Sequence, residues 1–247
     1  MTLRKTVLQI IPALDSGGAE RTTVEIASAI VEAGGRALVA TSGGRLAGDI
    51  EAAGGKVILL PVQSKNPVVI LANRGRLLKL IRQEKVDIVH VRSRAPAWSA
   101  LMAARAAGVA LVATYHGAYE AKGPLKRFYN SAMLRGDLVI ANSAYIAAAI
   151  KANYDLAPER LRVIPRGADL RQFSADAVAP ARQAALAAAW GLRRGAFTIL
   201  LPARLTPWKG HEVAIAAAAR LKIAATGQRR DLQVIFAGDA QGREDYL

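Results

Sequence analysis

No cysteine occurs among the 247 residues, which excludes a disulfide framework and a thiolate metal site. The three histidines are scattered and do not make up a zinc motif. No apolar run reaches the ~18 uninterrupted residues that a membrane span needs. The opening MTLRKTVLQIIPAL sets basic charge ahead of an apolar stretch, but Asp15 follows soon and no small-residue cleavage site is evident. That argues against a signal peptide and for a cytoplasmic location. Acidic residues are outnumbered, 19 against 34 basic ones, leaving a formal net charge of +15. Such an excess favours an anionic partner, whether a nucleotide, a nucleic acid or an acidic membrane surface, without choosing among them. For most individual basic residues a well-solvated surface is an equally good account.

What is present reads as a globular chain with enough apolar residues for a substantial core, and its length lies between one large domain and two modest ones. Short apolar runs at Thr6 to Pro12, Ala37 to Thr41, Val57 to Pro61, Asp87 to Val91, Ala110 to Tyr115 and Leu138 to Ala141 read as buried strands. Helical patterns separate most of them: Ala19 to Glu32, with Val24, Ala27, Ile30 and Val31 on one face, then Val68 to Glu84, Pro96 to Ala107 and Leu125 to Leu134. Alternating strands and helices imply an α/β fold with a parallel sheet covered on both faces, because parallel neighbours need crossover connections. After Arg162 to Pro165 the pattern changes. Residues 167 to 180 are rich in Ala, Asp and turn formers, a helix at Ala181 to Trp190 follows, and a new strand begins at Phe197. The expected domains are 1–170 and 171–247. In the second, one strand (Phe197 to Pro202), one helix (His211 to Ala225) and one strand (Leu232 to Ala237) are too few to enclose a core, so it reads as cut short.

Four places carry candidate chemistry. Ser16-Gly17-Gly18 turns from the first strand into the first helix, where glycine lets backbone approach a phosphate or a sugar hydroxyl, or simply makes a tight corner. It is not a dinucleotide fingerprint, since G-x-G-x-x-G is absent and the second strand ends in Thr41-Ser42-Gly43-Gly44 without an acidic residue. His116 follows a strand directly, at the end of the sheet where ligands bind, although a lone histidine is often structural; His90 reads as packed against the sheet. Arg204-Leu205-Thr206-Pro207-Trp208-Lys209-Gly210 again joins a strand to a helix. Two cations at a helix start are unfavourable unless an anion is present, and an arginine fork with a lysine suits a diphosphate. Asn142-Ser143 reads as a helix cap. Lys122, Lys126, Arg127 and Arg135 surround a helix carrying Leu125, Phe128, Tyr129 and Met133, either a basic amphipathic element for acidic lipid headgroups or a solvated helix.

In order, SGGAER at 16–21, TYHG at 114–117, ANS at 141–143, VIPRGAD at 163–169, ARLTPWKG at 203–210 and FAGD at 236–239 resemble the retaining glycosyltransferases of family 4, of GT-B architecture. The resemblance covers nearly the whole chain. It implies a complete N-terminal Rossmann-like, acceptor-side domain and the first part of a second, nucleotide-sugar-binding one. It further implies that Gly17 and Gly18 lie near the donor phosphates and the acceptor, that His116 contacts the transferred sugar or reacting centre, and that Arg204 and Lys209 neutralise the departing nucleoside diphosphate. Ser16, Arg166, Gly210 and Gly238 would line the cleft. No metal and no cofactor are expected beyond the nucleotide-sugar substrate.

Two departures stand out. Arg166 occupies a position where the family often has asparagine, adding a cation beside the cleft. The chain also ends before the paired-glutamate motif that would hold the donor sugar and ribose, so an incomplete form with weak or no turnover is expected. The resulting expectation is a bacterial hexosyltransferase that moves a sugar, with retention, to a cell-envelope polysaccharide, a lipopolysaccharide or a lipid-linked acceptor. It would act in the cytoplasm or at the inner face of the membrane, with no nucleic-acid partner. The competing class is a non-catalytic basic module that binds nucleic acid or an acidic membrane.

Overall fold

The computed structural model describes residues 4–119, 123–224, 231–240 and 244–246. The first compact unit, Met1–Gly167, contains β1 (Thr6–Ile10), α1 (Gly18–Glu32), β2 (Arg36–Thr41), α2 (Ala47–Ala52), β3 (Lys56–Leu59), α3 (Pro67–Gln83), β4 (Ile88–Val91), α4 (Arg94–Ala107), β5 (Ala110–Tyr115), α5 (Pro124–Ser131), β6 (Leu138–Ala141), α6 (Ala144–Asn153) and β7 (Leu161–Val163). The second, Ala168–Leu247, contains α7 (Leu170–Phe173), α8 (Pro180–Ala189), β8 (Phe197–Pro202), α9 (His211–Ala224) and β9 (Leu232–Ala237). The division falls between Gly167 and Ala168, where the sequence reading set it after residue 170. Ala225 and Lys122 lie outside the described residues.

In the first unit seven strands form one parallel sheet in the order β3-β2-β1-β4-β5-β6-β7. Successive residues feed two different cores, as the pleat requires. Leu8 and Ile10 of β1 with Leu38 and Ala40 of β2 belong to the cluster that holds Leu77 and Ile81 of α3 and Ala97, Ala100 and Leu101 of α4. Val7, Ala37 and Val39 join the other cluster, with Val24, Ala27 and Ile30 of α1 and Ile50 of α2. Both faces of β1 and β2 are therefore apolar, which is why these strands read as continuous runs rather than alternations. Asp87 and Asp137 fix the amino ends of neighbouring strands, accepting from the backbone N–H of Thr6 at 2.8 Å and of Leu111 at 2.7 Å.

The strand order reverses between β1 and β4. Such a reversal leaves a crevice beyond the carboxyl ends of the two strands, because their connections leave in opposite directions. The second unit has a parallel pair, β8 and β9, registered from Phe197 opposite Leu232 to Pro202 opposite Ala237. No helix among the described residues is long and apolar enough to cross a membrane.

Candidate active site

The crevice between β1 and β4 is lined from three strand ends. Beyond β1 the chain runs to Ser16, which is half-buried, and to Gly17, whose φ of 148° and ψ of 168° place it in a region essentially reserved for glycine. Gly17 caps α1 and, being glycine, offers no side chain to the first-turn N–H groups. Gly18 is needed for a different reason. A Cβ there would collide with Nη1 of Arg166, whose guanidinium lies against the start of α1. A cation at a helix N-terminus is unfavourable, and Glu20 in the same turn offsets part of that cost.

Beyond β5 stands His116. Nη2 of Arg166 lies 3.1 Å from its Nδ1. A guanidinium only donates, so Nδ1 accepts and the proton of the neutral ring sits on Nε2. Nε2 is buried and has no partner. Burial, then the charges of Arg92 and Arg166, hold the ring's pKa down to about 3, so at neutral pH it is an uncharged N–H donor rather than a base. Asn142 steadies the same turn, its Nδ2 donating to the His116 carbonyl at 3.4 Å. Ser143 caps α6, its hydroxyl accepting from the Ile146 N–H at 3.2 Å.

Beyond β4 stands Arg92, 2% exposed. Its Nη1 donates to Oε1 of Gln9 at 3.0 Å, and Gln9, fully buried, donates through Nε2 to the Thr23 carbonyl of α1. His90, two residues earlier, lies beside Gln9 in the register and has its Nε2 2.7 Å from Thr114 Oγ1. A polar seam therefore runs under α1 in an otherwise apolar sheet. The sequence reading left Arg92 unmarked. Its available signal is a charge directly after the apolar run VDIVHV, at a carboxyl end of the sheet.

In the second unit, Arg204 and Lys209 flank the turn between β8 and α9. Thr206 is fully buried and begins a short 3-10 turn, Pro207–Lys209, closed by Gly210 at φ 79° in the left-handed region. The Leu205 N–H donates to the Asp239 carbonyl at 3.2 Å, tying this turn to the end of β9. Gly238 is set against the Ala203 carbonyl, where a Cβ would collide, so the close approach of two strand ends accounts for that glycine. Of the expected site residues, the first unit holds Ser16, Gly17, Gly18, His116 and Arg166, with Gly18, His116 and Arg166 brought together. The second unit holds Arg204, Lys209, Gly210 and Gly238. No cluster of three or more metal-ligating side chains occurs among the described residues.

Residues 16–172 match the model of Glycosyltransferase Family 4. The chain is 29% identical over 168 residues to a D-inositol 3-phosphate glycosyltransferase of Catenulispora acidiphila, covering 63% of this chain and 39% of that protein. The crystal structure of a glycosyltransferase from Rickettsia africae superposes with a TM-score of 0.84 at 33% identity, covering 98% of this chain and 62% of the other. Anabaena HepE, solved in complex with UDP and glucose, has the same fold, with a TM-score of 0.77 at 23% identity over 97% of this chain and 63% of that one. The chain thus spans well under half of the curated relative and somewhat under two thirds of the solved ones.

Proposed function

Since the chain belongs to glycosyltransferase family 4 and its fold is of the GT-B type, we propose that it transfers a sugar from a nucleotide-sugar donor to an acceptor hydroxyl with retention. The observation that carries this reading is the pair of cations, Arg204 and Lys209, around a turn that joins a strand to a helix start. An arginine fork and a lysine point charge suit the oxygens of a diphosphate, and such charge matters most when negative charge develops on the leaving group. A UDP-binding neighbour of the same fold supports a nucleoside-diphosphate donor. The neutral His116 Nε2–H is suited to hold a hydroxyl of the transferred sugar. The acceptor is a cell-envelope polysaccharide, lipopolysaccharide or lipid-linked saccharide, a reading supported by a neighbour solved as a lipopolysaccharide-biosynthesis glycosyltransferase, whose likeness is one of fold.

Calorimetric titration with UDP, GDP and ADP tests the donor half. One diphosphate is expected to bind, and Arg204→Ala/Lys209→Ala to weaken it by roughly a hundredfold, at ~1.5 kcal/mol for each charged contact removed. Equal binding by the variant would sink the assignment. A peripheral contact with an acidic membrane is a second reading, carried by Leu125 and Phe128, 84% and 58% exposed, beside Lys126 and Arg127 on α5.

A further inference from the structure

Arg92 has no structural use that repays its burial. Of its three guanidinium nitrogens only Nη1 is engaged, with Gln9, while Nε and Nη2 are buried without a partner. Burying a cation with two unmet donors is among the costliest arrangements a fold can hold, and an apolar residue would fill the space at less cost. Burial and the neighbouring Arg166 charge lower its pKa to about 10, which still leaves it protonated at neutral pH. Glu20 and Glu25 of α1 act on it from a distance, but neither takes a hydrogen bond from it. Arg166 is a second cation in the same crevice, held over Gly18 and on His116 Nδ1. The His116 Nε2–H nearby is a buried donor without a partner in the fold, free to serve a hydroxyl of the sugar. The crevice thus gathers two positive charges and buried donors from β4, the loop after β7 and β5, and the carboxylate of Glu20 at the start of α1 leaves the Nε and Nη2 donors of Arg92 unmet.

We propose that Arg92 and Arg166 bind a phosphate group carried by the acceptor, so that the sugar is transferred to a phosphorylated saccharide or lipid headgroup. Donors that arrive from several elements suit a tetrahedral oxyanion better than the flat, two-oxygen edge of a carboxylate. The buried donors left unpaired in an acceptor lacking the phosphate would make discrimination against it strong. The word acceptor rests on the transfer reading above, in which the donor's diphosphate belongs to Arg204 and Lys209 of the other unit. The anion site itself does not.

The probe is glycerol 2-phosphate, titrated calorimetrically into the whole chain with and without saturating UDP. Saturable binding is expected, at least tenfold weaker in Arg166→Ala and in Arg92→Gln, unchanged in Arg204→Ala/Lys209→Ala, and indifferent to UDP. Arg166 is exposed, so its variant does not disturb the core. In the unmutated chain the Arg92 Nε–H resonance should shift on titration, a readout that stands even where Arg92→Gln does not fold. Absence of binding, or equal binding by both variants, overturns the proposal. Competition by UDP also overturns it, assigning the site to the donor's own diphosphate. If UDP binds through Arg204 and Lys209 while glycerol 2-phosphate does not bind, only the present inference falls. If the phosphate binds and no diphosphate does, the anion site stands and the donor reading falls.

Discussion

At the scale of single residues, the histidines show how burial selects a chemical role. His90 lies within β4 and His116 just beyond β5, and burial above all, then the Arg92 charge, holds each ring down to about 3. In the unfolded chain a histidine titrates near its ordinary 6.5. As pH falls from 6.5 towards 3 the unfolded chain takes up a proton that the folded ring refuses. Stability is therefore level above 6.5 and declines below it, by at most ~1.4 kcal/mol per pH unit for the buried His90 ring. Glu84, Asp87 and Asp169, whose pKa values are lowered by hydrogen bonds from Lys56, Thr6 and Arg171 respectively, withdraw their own support only below their ordinary values of 4.5 and 3.8. Between pH 6 and 5 the slope therefore belongs to the histidines. Urea unfolding in that window is expected to show a shallower slope for His90→Gln than for the parent chain; equal slopes would refute a neutral buried ring. Gly17 was legible as a place where backbone must turn, and the sequence left cradle and corner open. Its conformation requires a corner, and the Arg166 guanidinium lies against the start of the helix that follows.

At the scale of elements, the period of apolar residues located most strands and helices within a residue or two, because β1, β2, β4 and β5 are covered by apolar neighbours and α1 buries one stripe. Less legible were α2, whose six residues bury Ile50 alone, and α7, four residues long, since neither spans enough turns to display a period. Helix α5 was left between a lipid-facing element and a solvated one. Phe128 stacks on Trp98 with ring centroids 4.9 Å apart, so part of its apolar side is spent within the fold, while Leu125 is left outward. Co-sedimentation with vesicles rich in acidic lipid tests the lipid-facing alternative. Lys126→Ala/Arg127→Ala should weaken binding roughly thirtyfold, at ~1 kcal/mol per basic residue near the surface, and neutral vesicles should not bind. Unaltered binding would assign the contact elsewhere.

At the scale of the whole molecule, the two units differ in how much they bury. Nearly all buried apolar side chains belong to the first; among the described residues of the second only Ala218 and Ala240 are buried apolar ones, and Phe197 and Leu200 of β8 remain 53% and 47% exposed. Two strands with so little cover hold their hydrogen bonds weakly. Native-state hydrogen exchange is accordingly expected to release the amides of β8 and β9 at least tenfold sooner than those of β1 and β4, and equal protection would show that the second unit is as cohesive as the first. Sequence alone determined the parallel α/β class, the run of motifs from SGGAER to FAGD that matches family 4, and the excess of positive charge, because each is written in local order, spacing or count. It was the tertiary structure that decided which of those charges is buried. Arg92 and Arg166 are 74 positions apart in the numbering; they act on one another because β4 to β7 lie side by side with their carboxyl ends at one edge of the sheet and Arg166 reaches back to His116 and the start of α1, and no local pattern encodes the pairing of strands so distant along the chain.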